Sequence, residues 1–306
     1  MEETGYIMHV RLAAVLALGV LSGAAPTFAN PDTSERLAYT VMFGGLKVGD
    51  AVVSLDQTST GYSTNLKMAS SGALKLVTSI RAELHGEGTF APTQNGVAMV
   101  PSTYENMWST GDVAGKMTMT FDPATHAATT EERIFNPATG EDMKREDLPW
   151  NRRGKIASVP PNMRVNVFDP MTAFLSGRRQ VMAANGKPGA TFRIPIFDGS
   201  RRYDIVGKIG AVKSVSINGK TQNLLPVTAK LEPVFGFLPQ SEAKMKDWEG
   251  KLYFTPDQRM VPVQIVAGSD AMSAVMNLSA DCNQQPEACA TVEAAAAIGS
   301  QQADAK

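Results

Sequence analysis

Long stretches of this chain alternate apolar and polar residues with a period of two, and that pattern decides most of what it can fold into. Met117, Met119 and Phe121 alternate with Lys116, Thr118 and Thr120; Val261, Val263 and Ile265 alternate with Pro262 and Gln264. Successive side chains of a β-strand point to opposite faces, so such runs bury one face and wet the other, as in antiparallel sheets. The same pattern predicts strands over 37–43, 46–58, 62–70, 74–90, 97–109, 126–135, 190–198, 201–217, 222–232, 248–255 and 271–279. Turn-forming pairs stand between them: Gly44-Gly45, Thr60-Gly61, Asp198-Gly199, Asn218-Gly219 and Pro256-Asp257. Asn-Gly between two alternating runs is the strongest short hairpin signal, because both turn residues must take positive φ. It predicts that 210–217 pairs with 221–231.

One segment breaks the rhythm. Asp169 suits a helix N-cap and Pro170 the first helical position. Met171, Phe174, Leu175 and Val181-Met182 recur at helical spacing, with Arg178 interrupting the stripe, and Asn185-Gly186 suits a C-cap. The expected helix covers about 170–184 and buries best against an apolar sheet face. Residues 136–165 carry Pro137, Gly140, Pro149, Pro160 and Pro161 among many charges and read as a long loop or arm. Loops of that length are commonly functional. The expected fold is mainly β: a large curved antiparallel sheet, an open barrel or β-spiral, with one central amphipathic helix.

The first residues point to export. Arg11 precedes an apolar run from Leu12 to Leu21, and Thr27 and Ala29 stand where a signal peptidase reads small residues. The run is shorter than the roughly 20 residues a membrane span needs. Residues 1–29 are therefore expected to be a signal peptide, with a mature start near Asn30 and a periplasmic location; Met8 gives a more ordinary n-region than Met1-Glu2-Glu3. Without the leader, which carries Arg11, Glu2 and Glu3, the 29 basic and 30 acidic residues become 28 of each. A neutral chain has no global field to steer it to nucleic acid or an anionic membrane. The mature protein is expected to carry no transmembrane segment. Both cysteines, Cys282 and Cys289, lie near the C-terminus, and in an oxidising compartment two close cysteines pair. The expected organisation is one β-rich domain over 30–281 and a disulfide-stapled tail, disordered or a frayed helix, over 282–306.

No catalytic set stands out. His85 and His126 fall in or beside strands, and no Gly-x-Ser-x-Gly elbow exists. Gly219-Lys220-Thr221 resembles the end of a phosphate-binding loop but lacks the earlier glycine, Ser214 standing there. Glu131-Glu132, Glu141-Asp142 and Glu146-Asp147 pair carboxylates, the raw material of glycan chemistry; adjacent acids on a strand point to opposite faces. No catalytic, cofactor or metal residues are assigned. Arg152, Arg153, Arg178, Arg201 and Arg202 fall in the central third of the chain and are candidate contacts for an anionic ligand. Sixteen methionines, many on strand faces, suit an adaptable apolar surface.

Several short elements, in order, resemble one family. They are Leu37-Ala38-Tyr39-Thr40-Val41, Gly45-Leu46-Lys47-Val48-Gly49, Gly86-Glu87-Gly88, Pro101-Ser102-Thr103-Tyr104, Asp169-Pro170-Met171-Thr172-Ala173-Phe174-Leu175, Arg202-Tyr203-Asp204, Leu252-Tyr253-Phe254 and Pro262-Val263. Together they are similar to a proteobacterial envelope family catalogued as domain of unknown function 3108. The resemblance implies an exported antiparallel β-protein and no established activity. Three readings follow: a non-enzymatic envelope protein binding a lipid or lipoprotein in a concave sheet, by fold-level analogy with the carriers LolA and LolB; a glycan hydrolase or lyase using the 136–165 loop; and a scaffold that binds an envelope protein through a sheet edge.

Overall fold

A computed structural model describes residues 32–72, 74–77, 79–93, 96–144, 157–246, 248–268 and 273–296. The expected leader and mature start, the middle of the 136–165 arm with Glu146, Asp147, Arg152 and Arg153, and the last ten residues lie outside it.

The first half is a meander of β1 (Thr33–Phe43), β2 (Leu46–Gln57), β3 (Gly61–Ser70), a helical turn α1 (Leu74–Val77), β4 (Ile80–Thr93), β5 (Gly96–Thr110), β6 (Val113–Phe121) and β7 (Ala128–Phe135). A short 3-10 turn (Pro161–Met163) and helix α2 (Pro170–Ala183) follow. The second half holds β8 (Thr191–Phe197), β9 (Arg202–Ile209), β10 (Lys213–Ile217), β11 (Lys220–Phe235), α3 (Pro239–Lys246), β12 (Glu249–Phe254), β13 (Pro262–Ala267), β14 (Ala274–Asp281) and α4 (Pro286–Ala296).

All fourteen strands join one antiparallel sheet in the order β7-β6-β5-β4-β3-β2-β1-β14-β13-β12-β11-β9-β8, with β10 added to β11. The two halves meet in the middle, where β1 pairs β14 from Leu37↔Asp281 to Phe43↔Ala274. The sheet therefore has two ends, β7 and β8. A bent strap, residues 164–168 with Asn166 at a φ of 53°, joins them. Val165 bridges antiparallel to Ala127, just before β7, and Phe168 bridges parallel to Ile196 of β8. The sheet curls into a nearly closed barrel whose two ends this strap bridges.

Helix α2 fills the inside. It packs against β3, β4 and β5 on one wall and β8 on the other. Pro170 to Arg178 are buried without interruption, the signature of a helix enclosed on all sides. The wall around it includes Leu66, Leu84, Met117, Met119, Val227, Leu252, Phe254, Ile265 and Met276. Close approaches are made where glycine meets an aromatic ring. A Cβ on Gly207 would lie 1.8 Å from the Phe192 ring, its pairing partner, and one on Gly115 would lie 2.6 Å from Trp108. Aromatic rings laid over strand glycines recover packing that glycine cannot supply.

The Asn218-Gly219 hairpin is as expected: both residues take positive φ, 51° and 76°, and Ile217 pairs with Lys220. Two expectations are corrected. The strand expected over 74–90 begins at Ile80, preceded by α1. The strand expected over 201–217 breaks after Ile209; the Gly210 N–H bonds to the Pro226 carbonyl, and a Cβ at Gly210 would meet the Pro226 ring at 2.9 Å. In the tail, expected to be disordered or a frayed helix, residues 286–296 form helix α4. Its Cys289 is fully buried with Ala38, Val52 and Ala280 on the outer face of β1, β2 and β14. The Cys282–Cys289 bond, with a Cα–Cα distance of 5.8 Å, ties that helix to the end of β14. Helix α3 escaped sequence analysis because Pro239–Lys246 has no apolar period for a pattern to detect.

Candidate functional site at the buried head of the central helix

Asp169 is completely buried at the entry of α2. Its Oδ1 accepts hydrogen bonds from the Met171 and Thr172 N–H groups, both at 2.9 Å, as an N-cap should. Its Oδ2 has no hydrogen-bond partner among the described residues. Burial is the leading cause that pushes this carboxyl up from its ordinary 3.8 to about 6, against the lowering effect of the cap bonds. The Thr64 hydroxyl, buried on β3, is also unpartnered. Tyr62, one pleat away, shares a hydrogen bond with the Thr172 hydroxyl at 3.1 Å. Burial raises the Tyr62 and Tyr104 phenols, and the nearby Asp169 charge raises both further.

Two glycines of β4 make room for this head. A Cβ on Gly86 would come within 3.0 Å of both Asp169 Oδ1 and Met171 Cβ, and 3.4 Å from Thr64 Oγ1. A Cβ on Gly88 would run into the Tyr62 hydroxyl at 2.4 Å. Gly86-Glu87-Gly88 is thus a seat for the helix. Tyr62, Thr64, Gly86, Gly88 and Tyr104 gather around Asp169 from three strands. Sequence analysis noticed Gly86-Glu87-Gly88 and Tyr104 only as elements of a resemblance; the signal for their role was the same-face spacing of two glycines in an otherwise filled strand.

The far end of the helix is tied by charge. Arg178 ion-pairs with Glu35 of β1 and donates from Nη2 to the Arg259 carbonyl at 2.5 Å. Arg259 in turn reaches Glu35 at 2.9 Å and Asp281 at 3.0 Å. Arg179 bonds to Gln57 at 3.0 Å and lies over the Phe90 ring. Between the two ends lies a cavity of about 10 Å³ lined by Glu35, Leu37, Val53, Thr64, Phe174 and Arg178 among others, room for roughly one water.

Arg178, Arg201 and Arg202 have separate neighbours. Arg201 lies over the Phe237 ring, and Arg202 donates to the Tyr203 carbonyl at 2.7 Å and pairs with Asp204. His85 stands 3.7 Å from Glu87 on the partly exposed outer face of β4, and His126 occupies a turn with φ of 53°. Asp142 pairs with Arg133 at 2.6 Å. Among the described residues no cluster of His, Cys, Asp and Glu could hold a metal ion. Nor is any described helix long and apolar enough to cross a membrane.

The architecture defines a class: a nearly closed antiparallel β-barrel bridged by a strap and filled by its own helix. The chain belongs to the family described as protein of unknown function (DUF3108), whose model matches residues 38–279. Among solved structures it is similar to a β-barrel-like protein of domain of unknown function DUF1849 from Brucella abortus, at 10% identity and a TM-score of 0.45, over 82% of this chain and 97% of that one. No curated protein sequence matches.

Proposed function

We propose that this chain is an exported, periplasmic, non-enzymatic protein of the cell envelope, and that its concave wall holds an acyl chain of a lipid or lipoprotein when α2 gives up its place. One observation carries the reading. The wall is largely apolar, yet the helix it encloses is only partly so: of the nine residues buried from Pro170 to Arg178, Thr172, Ser176, Gly177 and Arg178 are polar or glycine. Asp169 Oδ2 at the head of the helix and Arg178 Nε further along it are buried without partners, a free-energy cost that an acyl chain in the same space would not incur. The cavity beside α2 is water-sized, so a guest lying along that stretch of wall replaces the helix rather than joining it.

Export is tested by the mass of the protein recovered from the periplasm, expected to begin near Asn30. Native mass spectrometry and organic extraction of that protein test the guest. A fraction carrying one lipid or acylated peptide per chain is expected. Protein that is always guest-free, including after incubation with a lysophospholipid, would overturn the acyl-chain reading and leave a scaffold that binds through its outside.

A further inference from the structure

We infer that the barrel opens along the seam between β7 and β8, and that strap 164–168 and the head of α2 swing out as one unit; the acyl guest rests on the reading above, the opening does not.

The seam is the weakest join in the sheet. Neighbouring strands elsewhere are held by ladders, from four registered pairs between β13 and β14 to fourteen between β4 and β5. The strap has two main-chain hydrogen bonds on each side. Toward β7, Ala128 N–H donates to the Arg164 carbonyl at 2.9 Å and Asn166 N–H to the His126 carbonyl at 3.1 Å. Toward β8, Phe168 N–H donates to the Pro195 carbonyl at 2.8 Å and Phe197 N–H to the Phe168 carbonyl at 3.0 Å. Val165 and Asn166 are exposed while Val167 is buried in the core; segments with few main-chain bonds open at the low end of a protein's free-energy range.

Nothing separates the strap from the helix. Phe168 makes the last strap bonds and Asp169 is the cap, so the strap cannot leave without pulling the head of α2. That head carries polar groups left uncompensated by burial. Asp169 Oδ2 and Thr64 Oγ1 are buried without partners, and no cation is paired with the carboxylate among the described residues. Opening returns these groups to water, which offsets part of the apolar exposure. The other end stays anchored by Arg178 on Glu35 and on the Arg259 carbonyl, and by Arg179 on Gln57 and Phe90. The geometry is a hinge at the rear and a latch at the front.

The test locks the latch. The bonds flanking Ala127 and Val165 make them a non-hydrogen-bonded antiparallel pair, the kind whose side chains lie closest. The mature A127C/V165C variant, its native pair left intact, is oxidised and its bridges mapped by mass spectrometry; if the new pair does not oxidise, a short bis-maleimide joins the two thiols. Hydrogen–deuterium exchange is then compared with wild type. Amides of 164–168 and of the first turns of α2 are expected to exchange together in wild type, faster than β4 and β5, and at least tenfold more slowly when locked. A lock that protects the strap but leaves the first turns of α2 unchanged, or a wild type in which they exchange independently, would sink the hinge. Uptake of palmitoyl lysophosphatidylcholine and of a synthetic acylated peptide is measured on both forms. Uptake in wild type that the lock abolishes supports the seam as the guest's entry, and the preferred probe separates lipid from lipoprotein. Locked protection without uptake by wild type leaves the latch standing and removes the acyl-chain reading.

Discussion

Asp169→Asn tests the chemistry of the helix head. In the folded protein the Asp169 carboxyl is pushed from 3.8 to about 6, chiefly because burial disfavours the charge. A shift of about two units corresponds to about 3 kcal/mol, at about 1.4 kcal/mol per unit. The sign follows from proton linkage. A carboxyl raised on folding binds its proton more tightly in the native state, so its stabilising share is complete below pH 3.8 and is lost as pH rises through about 6. Asparagine keeps the oxygen that accepts from Met171 and Thr172 N–H and carries no charge to bury. Urea unfolding of wild type and D169N should therefore give a stability difference near zero at about pH 3 that grows to about 3 kcal/mol in favour of D169N at about pH 8. Taking the difference cancels the other titrating groups, which both proteins share. A D169N variant that is less stable than wild type by a constant amount across this range would refute the reasoning, because it would mean the buried carboxylate is compensated.

Three further outcomes follow from the packing. Gly207→Ala puts a methyl 1.8 Å from the Phe192 ring; overpacking of this kind should cost about 3 kcal/mol in thermal or urea unfolding, while Gly45→Ala, with nothing within 4 Å of its Cβ but φ of 83°, should cost only about 1. Non-reduced, denatured protein should show no free thiol, two labelled thiols refuting the bond; C282S/C289S should lose about 2 kcal/mol and expose α4 to proteolysis first, given the short loop the bond closes. Arg178→Met removes one of two arginines on Glu35 and the bond to the Arg259 carbonyl. A loss of about 1–3 kcal/mol is expected, with faster exchange at the rear of α2; an unchanged urea midpoint would remove the anchor.

Much of this fold is written locally. Alternation of Met117, Met119 and Phe121 announces a half-buried strand whatever lies beneath it, and Asn218-Gly219 sets its hairpin through the backbone of two residues. Asp169-Pro170 starts its helix with groups that lie within four residues of each other, and Cys282 and Cys289 are near enough to find one another in any compact tail. Each signal is a period or a short spacing, so the chain itself carries it. A period tells which face of an element is buried and is silent on what buries it. The tertiary structure alone decides that α2 enters the barrel, that Gly86 and Gly88 are empty so that its head can sit, and that the strap stitches β7 to β8. The arginines show the same limit. Arg178 finds Glu35 across 143 positions of sequence, and Tyr62 finds Thr172 across 110. Contacts of that range depend on how the whole sheet curls, which no local pattern encodes. By itself the sequence determined a strand-rich, disulfide-tied protein with one central helix; the curl of the sheet turned that helix into the barrel's own occupant, because a nearly closed apolar wall must be filled and α2 is the segment the strap delivers into it.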